Sequence, residues 1–263
     1  MTACSHPYET VLMAGSPPEP DPLCFTEGVT NKAAIPIGDR PMAWHVLDAL
    51  ATSGCATRIT VVGLTMPLPD GMARLPIRQI PNRHGIVDNL LAATDDLADD
   101  ARLLVASSDI PLLTPAAVAD FCGRAEHTGA ELCYSVVERA VMEERFPGSG
   151  RSFRHTREGD FAGGDLFLAT PRLFRTHDTL FRQISGQRKS AWGLVSTLGL
   201  GILLRYATRQ LSIVHLEARA SSLLEAPCKA IITPHAEIAM DVDKPHQLTM
   251  VRRYVASPPD PRE

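Results

Sequence analysis

Short apolar runs alternate with helical patterns through the first half of this chain, and that alternation limits its fold more than any other feature. Residues 10–14, 58–63, 76–80, 103–106 and 131–137 are short, mostly aliphatic, and bounded by Gly, Pro, Ser or Glu. Runs of this kind suit strands buried on both faces. Residues 41–50 carry Met42, Val46, Leu47 and Leu50 at helical spacing, and residues 85–97 carry Ile86, Leu90, Leu91 and Leu97. Thr114 and Pro115 occupy the N-cap and first position of a further helix running to about Arg124. Strands alternating with helices predict an α/β domain with a largely parallel sheet and right-handed crossovers. Ligands of such sheets sit beyond the carboxyl ends of the strands, near the switch in strand order. The loops after Ala14 and Ala106 are therefore the first places to look.

Past Arg139 the pattern changes. Residues 143–164 are polar, basic and glycine-rich, residues 166–169 form a strand, and residues 171–206 read as mostly helical. Residues 16–30, rich in proline and acid, read as a loop. Residues 211–226 read as strand then helix, 229–233 and 237–240 as strands, and Pro245 opens a last helix. The longest uncharged stretch, 190–204, is too short for the ~20 apolar residues of a membrane span. A buried helix pair is expected there, with a membrane-resting surface as the other reading.

The 26 Lys+Arg against 30 Asp+Glu leave a formal charge of −4, which gives no global positive field to recruit nucleic acid. No two of the six cysteines are spaced for a metal or redox pair, so they read as reduced structural thiols of a cytoplasmic protein. No secretory signal pattern is read at residues 1–9.

Five segments carry candidate chemistry. In Leu12-Met13-Ala14-Gly15-Ser16 a strand-end glycine lets backbone N–H groups approach an anion, and Lys32 in the returning loop supplies a point charge for phosphate. Asp109, after the strand at 103–106, is placed to hold Mg²⁺ together with substrate phosphates, or to shape the turn. Asp241 and Asp243 could ligate a divalent ion or cap the Pro245 helix. Residues 151–157 lead to Gly163-Gly164-Asp165 with arginine forks suited to phosphate. Asn82, His84, Gly85 and Asn89 gather at a helix start.

In this order the segments resemble one family, the MobA-like NTP transferases among the nucleotidyltransferases of GT-A-like fold. Leu12-Met13-Ala14-Gly15 matches its Leu-x-Ala-Gly loop, and Lys32-Ala33-Ala34-Ile35-Pro36-Ile37-Gly38-Asp39-Arg40-Pro41-Met42 matches its lysine segment. Asp109-Ile110-Pro111-Leu112, Gly163-Gly164-Asp165-Leu166-Phe167 and Asp243-Lys244-Pro245-His246-Gln247-Leu248 match the remaining three motifs. The resemblance implies a three-layer α/β/α, Rossmann-like fold with a mixed, mostly parallel sheet. It covers one domain at 10–255, with a nucleotide-binding half at about 10–138, an acceptor half at about 139–255, and tails at 1–9 and 256–263. It implies Mg²⁺ or Mn²⁺ as cofactor and an NTP and a small phosphorylated metabolite as partners, with a homodimer as a further expectation and no stable membrane insertion.

The implied catalytic residues are Lys32 and Asp109. The nucleotide would meet Leu12, Ala14, Gly15, Ser16, Lys32, Asn82, Gly85 and Asn89. The acceptor would meet Arg154, Gly163, Gly164 and Asp165. Asp109 and Asp243 would hold the metal, with Asp241 as a substitute. The implied reaction is attack by an acceptor phosphate on the α-phosphate of an NTP, releasing pyrophosphate. Two departures from the family pattern stand out: the 16–31 loop carries Glu19, Asp21 and Glu27 and no basic residue, and Asp165 replaces an asparagine. The acidic loop motivates a second hypothesis, a non-catalytic nucleotide-binding or regulatory protein. The D-x-D of residues 241–243 motivates a third, a glycosyltransferase using a nucleotide sugar.

Overall fold

The structure is a computed structural model, described over residues 7–16, 21–68, 75–83, 85–187 and 199–257. Its strands are β1 (Tyr8–Met13), β2 (Pro36–Ile37), β3 (Arg40–Pro41), β4 (Ala56–Val62), β5 (Ile77–Ile80), β6 (Leu103–Ser107), β7 (Leu132–Glu138), β8 (Arg154–Thr156), β9 (Gly159–Ala169) and β10 (Cys228–Thr233). Among the described residues, eight of these form one sheet in the order β10-β7-β9-β6-β1-β4-β5, with β8 paired to β9, while β2 and β3 form a separate small hairpin. β1 pairs in parallel with β4 on one side and β6 on the other. β9 alone runs antiparallel, between β6 and β7. The chain is thus a mixed, mostly parallel three-layer α/β/α fold.

Strand alternation sends neighbouring side chains to opposite faces. Leu12, Ile59, Val61, Leu104 and Ala106 pack with Trp44 and Leu47 of the Met42–Thr52 helix and with Val118 and Phe121 of the Pro115–Glu126 helix. Val11, Val62, Leu103 and Val105 pack on the other face with Leu90, Leu173 and Phe174. A third cluster joins Leu23, Ile35, Ile37, Met142, Phe146, Val242, Leu248 and Val251, and so ties together the segments that flank Lys32 and Asp243.

Several local expectations change. The 16–30 segment contains a helix, Pro22–Glu27, because Asp21 accepts from the Leu23 amide, Pro22 takes the first position, and Gly28 ends the helix in a left-handed turn at φ 67°. Residues 211–226 hold no strand: Ser212 caps one helix, Ile213–Leu224. The run at 237–240 is a 3-10 turn, Ala236–Ala239. The buried helix pair expected at 190–204 is not found where the chain is described, since the Leu200–Ala207 helix buries no side chain. No described helix is long and apolar enough to cross a membrane. Cys24, Cys122, Cys133 and Cys228 are buried and free, and burial pushes the Cys122 thiol up to about 12, as befits an inert packing residue. Cys55 departs from the reduced-thiol reading, being disulfide-bonded.

Gly164 of β9 explains itself by packing. A Cβ there would stand 2.3 Å from Ser135 Oγ and 2.8 Å from an Ile238 methyl. Ser135 Oγ cannot yield, because it donates to the Leu166 carbonyl at 2.7 Å. Gly164→Ala is expected to destabilise the fold by about 1–3 kcal/mol, the usual cost of overpacking, read from urea unfolding midpoints.

Candidate functional site

The carboxyl ends of β1, β4, β5 and β6 are laced together by backbone hydrogen bonds. The Ala14 amide donates to Val62 O at 2.8 Å, Gly63 to Ile80 O at 2.9 Å, and Ser108 to Met13 O at 3.0 Å. Strand order reverses between β1 and β6, which is where an open α/β sheet leaves a crevice. Gly15 and Gly63 touch there. A Cβ on Gly63, whose φ is +89°, would lie 2.3 Å from Gly15 Cα, so this position needs glycine for both space and conformation.

Polar side chains fix the Gly15 loop. Asn31 Nδ2 donates to the carbonyls of Ala14 and Gly63, both at 2.9 Å, while its Oδ1 accepts from the Ala33 amide and caps the Lys32–Ala34 turn. Asn82 donates to Ser16 O at 2.7 Å, and Asn89 donates to Asn82 Oδ1 at 3.0 Å. Asn89 is buried, and its Oδ1 accepts from the Arg83 amide. Asn89 therefore braces the loop and is not presented to a base. Gly15 itself is exposed, and Ser16 Oγ is buried without a hydrogen-bond partner among the described residues.

Lys32 is aimed by that turn across the crevice. Its ammonium donates to Asp109 Oδ2 at 2.7 Å and to Asp243 Oδ1 at 2.5 Å. Burial disfavours the ammonium, but the two carboxylates outweigh burial and hold its pKa well above the usual lysine range. Burial likewise opposes the Asp109 charge, yet Lys32 and a 2.5 Å hydrogen bond from Ser107 keep it below the ordinary carboxylate range. Asp243 is the open member, with 58% of its side chain exposed against 19% for Asp109.

The Asp243 loop is set by two contacts. The Val242 amide donates to Asp109 O at 2.9 Å, and buried Gln247 accepts from the amides of Asp243 and Lys244 at 2.9 and 2.8 Å. Gln247 Nε2 donates to Ser149 O at 3.0 Å.

Some expected site residues lie elsewhere. Asp241, expected as a substitute metal ligand, is bound by the Arg151 guanidinium, which also donates to Gly163 O at 2.9 Å. Val242 between the two acids is in the core, and the carboxylates of the D-x-D have different partners, Arg151 for Asp241 and Lys32 for Asp243. Leu12 and Ala14 are buried, and Leu12 belongs to the core rather than to the loop surface. Gly85 opens the Ile86–Ala93 helix, and a Cβ there would stand 2.5 Å from Asp88 Oδ2. Gly163 makes room for the Tyr134 hydroxyl, 2.7 Å from the Cβ it lacks, and Gly164 for Ser135. Arg154 is exposed on β8. Asp165 precedes Leu166, which pairs with Ala106, and so lies at the crevice end of β9. His84 falls outside the described residues.

The acidic loop is also resolved in part. Asp21 spends its carboxylate as a helix cap, and Glu27 is clamped by Arg252 through contacts of 3.1 and 2.5 Å. The Arg252 guanidinium offsets the charge of Glu27, and Glu19 lies outside the described residues. Asn31, Gly63, Ser107 and Gln247 are the members that the pattern reading passed over. Asn31 and Gln247 had a signal, since they hold cap positions beside motif residues.

The profile of the MobA-like NTP transferase domain matches residues 26–192. The chain belongs to that family. The match begins after the Gly15 loop and ends before Asp243. A 2-C-methyl-D-erythritol 4-phosphate cytidylyltransferase of Ralstonia nicotianae is 30% identical over 163 residues, covering 56% of this chain and 62% of its own length. The chain thus spans less than two thirds of that relative. A hypothetical transferase from Thermus thermophilus superposes with a TM-score of 0.78 at 32% identity, over 92% of this chain and 99% of its own. CMP:2-keto-3-deoxy-manno-octonic acid synthetase, solved with CTP, superposes at 0.57 and 12% identity over 95% and 98%, a likeness of fold alone.

Removing the ammonium leaves Asp109 and Asp243 facing each other. Lys32→Met is expected to cost about 2–3 kcal/mol in metal-free buffer, below the ~3–5 of a fully buried broken pair because Asp243 is open to water. Thermal unfolding in the presence of a chelator checks this.

Proposed function

We propose that this chain is a nucleotidyltransferase that moves an NMP group from an NTP to a small phosphorylated acceptor. The observation that carries the reading is the meeting of a glycine backbone loop with one lysine and two carboxylates at the strand switch. In this reading the Gly15 loop offers amide donors to the triphosphate. Lys32 exchanges a carboxylate for a phosphate oxygen and offsets charge as the α-phosphorus is attacked. An oxygen of the acceptor phosphate forms the new bond to that phosphorus, and the bond to the β-phosphate oxygen breaks, releasing pyrophosphate. Alignment supplies the remaining rate, and no protein nucleophile is required.

The donor set suits Mg²⁺. The Lys32 ammonium already stands as a cation between two carboxylates, and Mg²⁺ commonly takes one or two carboxylates with substrate phosphates. Among the described residues no group of three or more His, Cys, Asp or Glu could hold a metal unaided, so the nucleotide would complete the ligand set. Bound there, Mg²⁺ would neutralise phosphate charge and orient the leaving group. Asp109 and Asp243 would hold it. Asp241, committed to Arg151, would not, and this also weighs against the glycosyltransferase reading.

Pyrophosphate release from each NTP, tested with a panel of sugar and polyol phosphates, is the deciding assay. Asp109→Asn is expected to lower kcat by about 10²–10³, the scale of removing one pre-set electrostatic group. Binding of NTP with no turnover by any acceptor would move the chain to the non-catalytic reading. Unchanged NTP binding in both Lys32→Ala and Asp109→Ala would remove these residues from the site.

A further inference from the structure

We propose that the Leu200–Ala207 helix and the start of the Ile213–Leu224 helix form a docking face for an anionic lipid bilayer. The helix fully buries none of its side chains, Ile202 and Leu203 are half-buried, and two leucines are turned to solvent: Leu200 is 82% exposed and Leu204 66%, with Val214 beyond the turn at 65%. At 100° per residue, Leu200, Leu203, Leu204 and Ala207 share one stripe, and Arg205 and Tyr206 flank it on opposite sides. An apolar stripe edged by arginine and tyrosine is the pattern of a helix lying in the membrane interface.

Charge selects the occupant. The chain carries a formal −4, yet from 179 to 216 it holds Arg182, Arg188, Lys189, Arg205 and Arg209 and no acid. Among the described residues neither Arg205 nor Arg209 has an ion pair, while Arg182 is held by Asp88. Arg219 lies beside the helix start, with its guanidinium 3.5 Å from the position a Cβ on Gly199 would take. The neighbouring acids are engaged: Glu158 accepts from the Ile213 amide and Glu217 pairs with Lys229. A protein partner with an acidic rim would also satisfy the charge, but exposed leucines with cationic edges suit a fluid anionic surface better. Docking there is independent of the nucleotide chemistry, because no residue of this face belongs to the Lys32 crevice.

The test is co-sedimentation of the full chain with vesicles of phosphatidylcholine alone and of phosphatidylcholine with 30% phosphatidylglycerol, about 0.1 M salt. Binding is expected only to the second, and to weaken as salt rises. Leu200→Asp with Leu204→Asp should abolish it, and each of Arg205→Ala and Arg209→Ala should weaken it about five-fold, the weight of one basic residue at such a surface. Circular dichroism confirms folding, and solution pyrophosphate release should be unchanged in these variants. Equal binding to both vesicles, no binding to either, or equal binding by the double aspartate variant would overturn the proposal. So would a dimer seen by light scattering that the double variant dissociates, since a second copy would then own the face.

Discussion

One ammonium group holds the strand-switch end of this fold in register. Lys32 reaches carboxylates 77 and 211 positions away in sequence, and each belongs to a different segment: the turn after β1, the end of β6 and the loop before the last helix. In the crevice the charges of Lys32 and Asp109, both mostly buried, would be costly alone. Together they offset one another, and so the protein can keep them poised at the strand switch. The arrangement has a cost in availability, because any phosphate or metal entering the crevice must compete with contacts already made. A partly exposed Asp243 keeps that exchange feasible.

Around the charges lies a layer of neutral amides. Asn31 straps two strand ends, Asn82 and Asn89 brace the Gly15 loop, and Gln247 holds the loop that presents Asp243. None of these groups titrates, and each bonds mainly to backbone. Their work is therefore insensitive to pH and to the charge of the ligand. A crevice meant to receive a highly charged molecule gains from a frame of this kind.

Much of this was legible in the order of residues. The apolar strands showed themselves by composition, and Lys32, Asp109 and Asp243 by their positions after strands and beside prolines. Harder to read was what neighbouring chain does with a polar group. Asp21 and Glu27 look like a repulsive wall in sequence, but the first caps a helix and the second is paired with Arg252. Asp241 looks equivalent to Asp243, yet Arg151 takes the first and Lys32 the second. Gly163 and Gly164 look like a ligand cradle, and the structure fills their space with Tyr134 and Ser135. The Asp21 cap is local, but each of the other outcomes depends on a contact distant in sequence, which no local pattern encodes.

The lone antiparallel strand has a consequence for how the chain is made. β5, β4, β1 and β6 are all complete by Ser107, but the open edge of β6 pairs with nothing until β9 arrives. β7 emerges in between and cannot join β6 directly, since β9 separates them. A nascent chain stopped before Gly159 would carry a half-sheet with a bare, apolar edge, the kind of surface that invites chaperones or wrong pairing. Synthesis of β9 is thus the step that covers β6 and joins β7 to the sheet, and truncation between β7 and β9 is where this protein would be most prone to aggregate.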